Sequence, residues 1–361
     1  MKTFIGAENI ISPLGITAEE NFNSVKKNRS GIKQFKKIGF GKEDLYLSKI
    51  NEENPENFFY YLLSQCLQSI IKEAKSGIIE ANDTIVIIST TKADILGNLS
   101  SPMIEPVHQL IKDFKLKHTP IVISNACISG VLAMNVANDF IQSTAYKNAF
   151  VIGADIVSDF VLYGFQSLYA ISDEPCKPFD KNKKGITLGE GAGGVLMSSD
   201  STVFNAPFFE FVEGTSANDA NHISGPSRTG EGLFRTVTKT LKLAGIDKEN
   251  IDFISAHGTA TIFNDEMESI AFDRLGMNNI PLNSLKGYFG HTLGASGLIE
   301  TAICIQSLRT NLLIKSTGFN EIGTSKELNL LTQNLETEVQ TILKTASGFG
   351  GCNASLIIRK L

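Results

Sequence analysis

Short apolar runs that suit buried β-strands alternate along this chain with stretches whose apolar residues recur every three or four positions, as in helices. This alternation is typical of α/β proteins, in which helices cover the faces of buried sheets. The predicted helices are 19–27, 56–74, 104–114, 127–143, 232–244, 265–274 and 294–309. The predicted strands are 84–89, 120–124, 149–153, 193–198, 208–215, 251–255, 280–283 and 354–359.

Two local patterns occur twice and suggest an internal duplication. A strand, a small-residue turn and a helix surround residue 127 and recur around 286–294, and a glycine cluster precedes an aliphatic run at 189–197 and again at 348–357. A chain of 361 residues with 42% hydrophobic content can bury the core of two fused halves. We predict two similar α/β halves, residues 1–200 and 201–361, with the functional site between them.

Charge and cysteine usage narrow the class of protein. The formal net charge of −5 argues against general nucleic-acid binding. The five cysteines include no C-x-x-C pair and their number is odd, which fits a reducing cytoplasm better than a disulfide framework. The sequence shows no signal-peptide pattern and no apolar run of membrane-spanning length, so we expect a cytoplasmic protein that does not enter a membrane.

Cys127 is the strongest candidate for a reactive residue. It lies where the apolar run 121–123 passes through a short turn into a helical pattern. Such a turn would hold the sulfur over a helix N-terminus, where unpaired N–H groups and the helix dipole favour the thiolate. The small neighbours Ala126, Ser129 and Gly130 suit the strained turn of a nucleophile elbow. The alternative is a buried structural thiol, since free cysteine is among the most buried residue types.

Two histidines follow β-like runs in glycine-rich loops. His257 comes directly after the run 251–255, and His291 lies in the segment Gly-His-Thr-Leu-Gly-Ala-Ser-Gly. Sites in α/β proteins gather at the carboxyl ends of strands, so a pocket shared by the two loops is favoured over two surface residues. Lys286 and Glu300 flank His291 in sequence. They are either ordinary surface charges or, if both turn inward, a pair that orients the histidines.

Other motifs predict no metal site and no cofactor. His108 and His118 are ten residues apart without a metal-ligand pattern. The segment 189–194 matches the dinucleotide fingerprint in letters, but a β-like run follows it where that fingerprint requires a helix, so we predict close backbone packing there. Asp265 and Glu268 are as well explained as charges of a helix N-terminus as by a functional role.

Six motifs, in order along nearly the whole chain, resemble those of the β-ketoacyl synthases, the decarboxylative condensing enzymes of fatty-acid and polyketide synthesis. They are Ile-Ser-Pro-Leu-Gly at 11–15, Asn-Ala-Cys-Ile-Ser-Gly at 125–130, Lys-Pro-Phe-Asp at 177–180 with Gly-Glu-Gly-Ala-Gly at 189–193, Ala-His-Gly-Thr-Ala-Thr at 256–261, Asn-Ser-Leu-Lys-Gly-Tyr-Phe-Gly-His-Thr-Leu-Gly-Ala-Ser-Gly at 283–297, and Gly-Phe-Gly-Gly-Cys-Asn at 348–353. The resemblance implies a thiolase-like fold, an αβαβα layered sandwich, without a cofactor.

The resemblance also implies an acyltransferase reaction: decarboxylative Claisen condensation of malonyl-acyl carrier protein with an acyl group held on Cys127. It implies acyl carrier protein as substrate partner, and a homodimer or a heterodimer with a related synthase subunit. The implied roles are a nucleophile at Cys127, neutral hydrogen-bond donors at His257 and His291, a tuning lysine at Lys286 supported by Glu300, an oxyanion hole from the backbone N–H groups of Cys127 and Phe349, a gate at Phe349, and pantetheine contacts at Thr259 and Thr261.

Two other functions stay open at this point. A chain-length-factor-like partner would shape the tunnel of an active synthase without catalysis, although such partners usually lose the cysteine. A thiolase-like acyl-CoA acyltransferase would need a second cysteine in a C-x-G-x-G context, which Cys352 does not have. A short first half and the unusual Ser347 favour a specialised synthase, such as one for a polyene or aryl polyene pigment, with Tyr288 and Phe289 against a flat unsaturated chain. The acyl chain and the pathway stay undetermined.

Overall fold

The structure is a computed structural model that describes residues 1–51, 55–95, 99–219 and 225–361. Its helices are α1 (Ala18–Lys26), α2 (Phe58–Lys72), α3 (Ile104–Phe114), α4 (Ser129–Gln142), α5 (Asp159–Ser167), α6 (Glu231–Ala244), α7 (Ile262–Leu275), α8 (Lys286–Phe289) and α9 (Ser296–Thr310). Its strands are β1 (Thr3–Ile11), β2 (Lys33–Phe35), β3 (Leu45–Ser48), β4 (Thr84–Ser89), β5 (Ile121–Ile123), β6 (Asn148–Asp155), β7 (Leu188–Gly189), β8 (Gly191–Ser198), β9 (Phe209–Asn218), β10 (Phe253–Ser255), β11 (Leu282–Asn283), β12 (Leu312–Leu313), β13 (Leu335–Glu336), β14 (Thr341–Gly348) and β15 (Cys352–Arg359). Among the helices in these ranges, none combines the length and the apolar character needed to cross a membrane.

A ten-stranded sheet runs through the molecule in the order β11-β10-β14-β15-β9-β1-β8-β6-β4-β5. The strands on one side of the β1–β9 contact precede residue 200, and those on the other side follow it. β1 joins the two sets, because it pairs antiparallel with β8 along most of its length and with β9 through Thr3–Ile5. The sheet is therefore continuous from one half of the sequence to the other.

Helices α4 and α9 form a central layer between the two arms of this sheet. Both contact strands from either side of the β1–β9 junction, whereas α2 covers the outer face of one arm and α6 that of the other. The segment 296–308 of α9 is buried all round, as expected for a helix with no solvent face. From one side to the other, the layers are α2, one arm of the sheet, α4 with α9, the other arm of the sheet, and α6. These five layers confirm the predicted αβαβα thiolase-like sandwich.

Glycines allow the central layer to pack closely. A methyl group at Gly130 of α4 would lie 2.9 Å from the backbone nitrogen of Leu298, and one at Gly297 would lie 2.7 Å from that of Val131. At Gly193 in β8, a methyl group would lie 2.8 Å from the backbone nitrogen of Ile299. The glycine cluster at 189–194 thus serves backbone packing, as predicted, and lies in strands β7 and β8.

Strands β1 and β14 and helix α5 lie outside the elements predicted from the sequence. β1 contains polar residues and β14 carries a lysine in its middle, and neither pattern is typical of a buried strand. The predicted helix at 127–143 begins two residues later than expected, at Ser129. That shift places Cys127 in the turn ahead of α4 and not within its first turn.

Candidate active site

Cys127 sits in a strained turn between β5 and α4. Ala126, the residue before it, adopts a left-handed conformation with φ of 45°, which is unfavourable for a residue with a side chain. The Ser129 hydroxyl donates to the Ala126 carbonyl oxygen at 2.7 Å and accepts from the backbone N–H of Asn125 at 2.8 Å. These two bonds brace the turn that presents the cysteine.

The loop after β10 presents His257. Its backbone N–H and that of Gly258 donate to the Glu268 carboxylate at 2.8 and 2.6 Å. Asp265 accepts from the backbone N–H of Thr259 at 2.9 Å. Both carboxylates are fully buried, so they are not ordinary charges of an exposed helix N-terminus. They fix the loop that carries the histidine.

The segment between α8 and α9 presents His291. Its backbone N–H donates to the Thr187 carbonyl oxygen at 2.7 Å, and the backbone N–H of Gly294 donates to the buried Asp155 carboxylate at 2.7 Å. Asp155 also accepts from the Thr90 hydroxyl at 2.9 Å. Burial raises the pKa of Asp155 to about 6. This anchor could not be predicted from the sequence because Asp155 lies 139 residues from Gly294.

The three candidate side chains converge. The Nε2 atom of His291 lies 3.0 Å from the Sγ atom of Cys127, and the two imidazole rings have centroids 5.3 Å apart at an interplanar angle of 81°. The three side chains face a cavity of about 440 Å³. The cavity is also lined by Thr259, Thr261 and Phe349.

Hydrogen bonds assign the same tautomer to both histidines. The Lys286 ammonium lies 3.2 Å from Nδ1 of His257, and the backbone N–H of Leu293 donates to Nδ1 of His291 at 3.2 Å. Each Nδ1 is therefore an acceptor, and each neutral ring carries its proton on Nε2. Burial, reinforced by the Lys286 charge, lowers the pKa of both histidines well below 6.5. Among the described residues, Nε2 of His257 has no hydrogen-bond partner, so it is a donor available to a ligand.

A buried ion cluster lies behind His257. Lys286 donates to Glu300 Oε1 and to the His257 carbonyl oxygen, both at 2.7 Å. The other carboxylate oxygen, Glu300 Oε2, lies 2.6 Å from the ammonium of Lys344. Burial alone would raise the pKa of Glu300, but the two ammonium charges lower it. Lys286 and Glu300 thus do turn inward and pair. Lys344 was missed because its strand, β14, was not predicted.

The expectation of a resting thiolate at Cys127 is wrong. α4 begins at Ser129, and the cysteine side chain is only 7% exposed. Burial raises the pKa of the Cys127 thiol to about 12, and the neighbouring Cys352 contributes to the increase. The Lys286 charge and the Phe349 backbone N–H both lower this pKa, but their effect is smaller than that of burial. The resting nucleophile is a thiol, and its proton must leave during attack.

The aromatic residues expected to contact a flat substrate do not line the cavity. Tyr288 and Phe289 are fully buried in a core cluster with Ile10 and Phe22. The ring that approaches Phe349 instead is Phe165 of α5, with centroids 5.6 Å apart. A helix of four residues, such as α8, is too short for its sequence pattern to show which side chains face the cavity. The expected contact of Tyr288 and Phe289 with the substrate was therefore wrong.

The same three side chains could in principle hold a metal ion. The sulfur and one nitrogen from each histidine lie within 4.8 Å of one another, and zinc accepts such donors. However, the ammonium of Lys286 lies 3.2 Å from His257, and a like charge so close disfavours a dication. The absence of a metal site stays a prediction.

Comparison with known proteins identifies the family to which this chain belongs. The model of the β-ketoacyl synthase N-terminal domain matches residues 111–202, and that of the C-terminal domain matches residues 210–320. The chain is 34% identical over 213 residues to 3-oxoacyl-(acyl-carrier-protein) synthase 2 of Rhizobium meliloti, which is 55% of this chain and 50% of the relative. It is 29% identical over 266 residues to a putative mitochondrial 3-oxoacyl-(acyl-carrier-protein) synthase of Schizosaccharomyces pombe, which is 68% of this chain and 62% of the relative. The matches thus span about half to five-eighths of the length of these relatives.

Solved structures share the fold over the whole chain. A chain from the complex of a ketosynthase with its chain length factor from Xenorhabdus doucetiae superimposes with a TM-score of 0.88 at 24% identity, covering 100% of this chain and 98% of that one. A β-ketoacyl synthase from Burkholderia phymatum gives 0.86 at 21% identity, covering 100% and 99%. With both domain models matched in order on one thiolase-like fold, the chain belongs to the β-ketoacyl synthase family.

Proposed function

We propose that this protein is a β-ketoacyl-acyl carrier protein synthase that condenses malonyl-acyl carrier protein with an acyl group carried on Cys127. The observation that carries the proposal is the convergence of one thiol and two neutral imidazole N–H donors at one cavity. Family membership supports this reaction class, and the relatives named above are synthases of this type.

In the first half-reaction, Cys127 Sγ attacks the carbonyl carbon of an acyl thioester. The new C–S bond forms as the bond to the pantetheine sulfur breaks, and the thiol proton passes to that departing sulfur, so no net acid or base is consumed. The developing oxyanion would be held by the backbone N–H groups of Cys127 and Phe349. The Phe349 backbone N–H lowers the pKa of the Cys127 thiol, as expected for a donor close to the sulfur. Loss of one such donor typically costs about 10²–10³ in rate.

In the second half-reaction, Nε2–H groups of His257 and His291 donate to the thioester carbonyl oxygen of the malonyl group. The bond to the carboxylate breaks, carbon dioxide leaves, and the electron pair forms an enolate. The enolate carbon attacks the acyl-Cys127 carbonyl, so the C–C bond forms as the C–S bond breaks. The released Cys127 thiolate regains its proton from water. Neutral imidazoles suit this step because a cationic donor would hold the malonyl carboxylate in place.

The cavity mouth would take the pantetheine arm of the carrier protein. Thr259 and Thr261 line it, and their hydroxyl oxygens are 2.9 Å apart. Thr261 also accepts from the backbone N–H of Asn264 at the start of α7, which fixes its orientation. We assign the two hydroxyls to hydrogen bonds with the amide groups of the arm, and Phe349, which is 38% exposed, to the gate.

We also propose that the protein works as a dimer in the cytoplasm. β5 is an edge strand of the large sheet, and its Val122 is 37% exposed. An exposed apolar edge strand is a template for pairing with another chain. A second copy or a related synthase subunit would continue the sheet there. The five cysteines are free, which fits a reducing compartment.

For the acyl group, we propose a flat, unsaturated chain such as that of an aryl polyene. Phe165 and Phe349 offer tilted rings at the cavity wall, at an interplanar angle of 30°. A flat conjugated acyl chain can stack on such rings, whereas a saturated chain cannot. Competition between unsaturated and saturated acyl carrier proteins of equal length, with Cys127 loading as the readout, tests this. Equal loading of both would refute it.

The reaction itself is tested with Cys127→Ala. Wild-type protein should gain the mass of the acyl group when incubated with acyl carrier protein thioesters and should then form the elongated β-ketoacyl product with malonyl-acyl carrier protein. Cys127→Ala should lose loading entirely and elongation by at least about 10³-fold. Elongation that survives in the variant would exclude this nucleophile.

The same assay separates the other two functions. A chain-length-factor-like protein, purified alone, would neither load acyl groups nor release carbon dioxide from malonyl-acyl carrier protein. A thiolase-like enzyme would cleave acetoacetyl-CoA. Cys352 is poorly placed for that role, because its thiol donates to the Phe349 carbonyl oxygen at 3.2 Å and burial raises its pKa to about 11.

A further inference from the structure

Lys344 is a fully buried ammonium that the mechanism above does not use. It lies in β14 with none of its surface exposed. Its Nζ atom donates to the carbonyl oxygens of Thr345 at 2.7 Å, Ser255 at 3.2 Å and Ala256 at 3.4 Å. An ammonium has three protons, so these carbonyls can take all of its hydrogen bonds. Two of them belong to the residues directly before His257.

The charge of Lys344 is directed at Glu300. Its Nζ lies 2.6 Å from Oε2, while Lys286 donates to Oε1 at 2.7 Å. Among Lys286, Glu300 and Lys344 alone, one carboxylate facing two ammonium groups leaves one unit of positive charge. A lone lysine–glutamate pair would have been neutral. Burying an unbalanced charge raises the free energy of the folded protein through desolvation. Such charges are found mainly where they act on a neighbouring functional site.

We propose that Lys344 is a positioning residue of the Cys127 site, which occupies one oxygen of Glu300 so that the charge of Lys286 stays effective toward His257 and Cys127. The inference rests on the proposed condensing function for its catalytic consequence. The placement supports it, since Lys286 Nζ lies 3.2 Å from Nδ1 of His257 and donates to the His257 carbonyl oxygen at 2.7 Å.

Several charged or titratable groups surround His257, and they come from every element packed against it. They are Cys127 ahead of α4, Glu268 of α7, Lys286 of α8, His291 in the following loop, Glu300 of α9 and Lys344 of β14. Lys286 and Lys344 both disfavour the charged imidazole. Lys286 also favours the thiolate of Cys127. Weakening the positive charge should therefore raise the pKa of His257, so that the ring is protonated more easily. It should also raise the pKa of the Cys127 thiol, so that the thiol ionises less easily.

The experiment compares two replacements with a control in the same strand. Lys344→Gln keeps amide donors for the carbonyl oxygens but removes the charge, and Lys344→Met removes both. Thr345→Val alters a buried side chain whose hydroxyl has no partner within the described part of the chain, and leaves all charges in place. Circular dichroism melting establishes which variants are folded.

Two pH profiles are measured on the full chain. The first is the rate of carbamidomethylation of Cys127 by iodoacetamide, read at the Cys127 peptide by mass spectrometry. The second is carbon dioxide release from malonyl-acyl carrier protein. In both Lys344 variants, alkylation at a fixed pH should be about threefold to tenfold slower, and the acid limb of carbon dioxide release should move to higher pH. Thr345→Val should follow the wild type.

Two results would overturn the proposal. If Lys344→Gln matches the wild type in both pH profiles, the lysine acts only through its hydrogen bonds. This comparison is decisive even if Lys344→Met proves to be unfolded. If Thr345→Val shifts as much as the lysine variants, the effect comes from packing and not from charge. Alkylation needs no acyl substrate, so it tests Lys344 even if the wild-type protein releases no carbon dioxide, which would refute the condensing function separately.

Discussion

The Nε2 atom of His291 lies 3.0 Å from the Sγ atom of Cys127, whereas Nε2 of His257 has no hydrogen-bond partner among the described residues. The two histidines are therefore not equivalent. In the proposed mechanism, His291 would support the sulfur as well as the malonyl carbonyl oxygen, whereas His257 would serve the malonyl group alone.

This asymmetry predicts different losses for the two alanine variants. His257→Ala should lower carbon dioxide release by about 10²–10³-fold and leave acyl loading of Cys127 nearly intact. His291→Ala should lower both, because the sulfur also loses the Nε2 group that lies 3.0 Å from it. Intact-protein mass spectrometry measures loading and trapped carbon dioxide measures decarboxylation. Equal loading defects in the two variants would contradict the assignment.

The pH dependence follows from the neutral imidazoles. Burial and the Lys286 charge lower the pKa of both histidines well below 6.5, so the active neutral form persists as the pH falls through 6.5. Carbon dioxide release should stay level through that value and fall only in more acidic solution, as the rings gain a proton. A rate already halved at pH 6.5 would show imidazoles with ordinary pKa values.

Ser347 lines the cavity together with Phe349, the proposed gate. It is buried and donates to the Asn353 side-chain oxygen at 2.8 Å. Ser347→Phe should fill part of the cavity and reduce loading of long acyl chains by about tenfold relative to short ones. Ser347→Ala, which removes only the hydroxyl, is the matched control and should retain chain-length preference. An unchanged preference in Ser347→Phe would show that the acyl chain lies elsewhere.

The proposed dimer is tested at the edge strand. Val122→Asp places a charge on β5 and should shift the protein to a smaller mass in size-exclusion chromatography with light scattering. Leu243→Asp, at an apolar position of α6 that is 56% exposed, is the control and should not change the mass. A dimer that persists in Val122→Asp would place the interface on another surface.

The sequence predicted the fold class and the three converging side chains because each rests on a local pattern. The helix at 104–114 has the predicted limits, and β4 likewise matches at 84–89. The turn before α4 and the two glycine-rich loops are also encoded by neighbouring residues, so their candidate residues could be named without coordinates.

The remaining features depend on contacts between distant segments. Glu8 interrupts the apolar pattern of β1 and is buried against Arg309, which lies 301 residues away. Lys344 interrupts β14 in the same way and is paired with Glu300 of α9. A charged residue in a short run argues against a buried strand unless its partner is known. Both strands were missed for this physical reason, and with β14 the second buried lysine was missed too.

The pairing of β1 with both β8 and β9 has a consequence for how the chain gains and loses its structure. Cys127 is supplied from one side of that seam and both histidines from the other, so β1 holds the reactive groups together along with the contacts that α4 and α9 make across the seam. Removing or fraying that strand would open two hydrogen-bonding edges at once and loosen the alignment of the nucleophile with its donors. Loss of catalysis and loss of cooperative folding should therefore occur together in this protein.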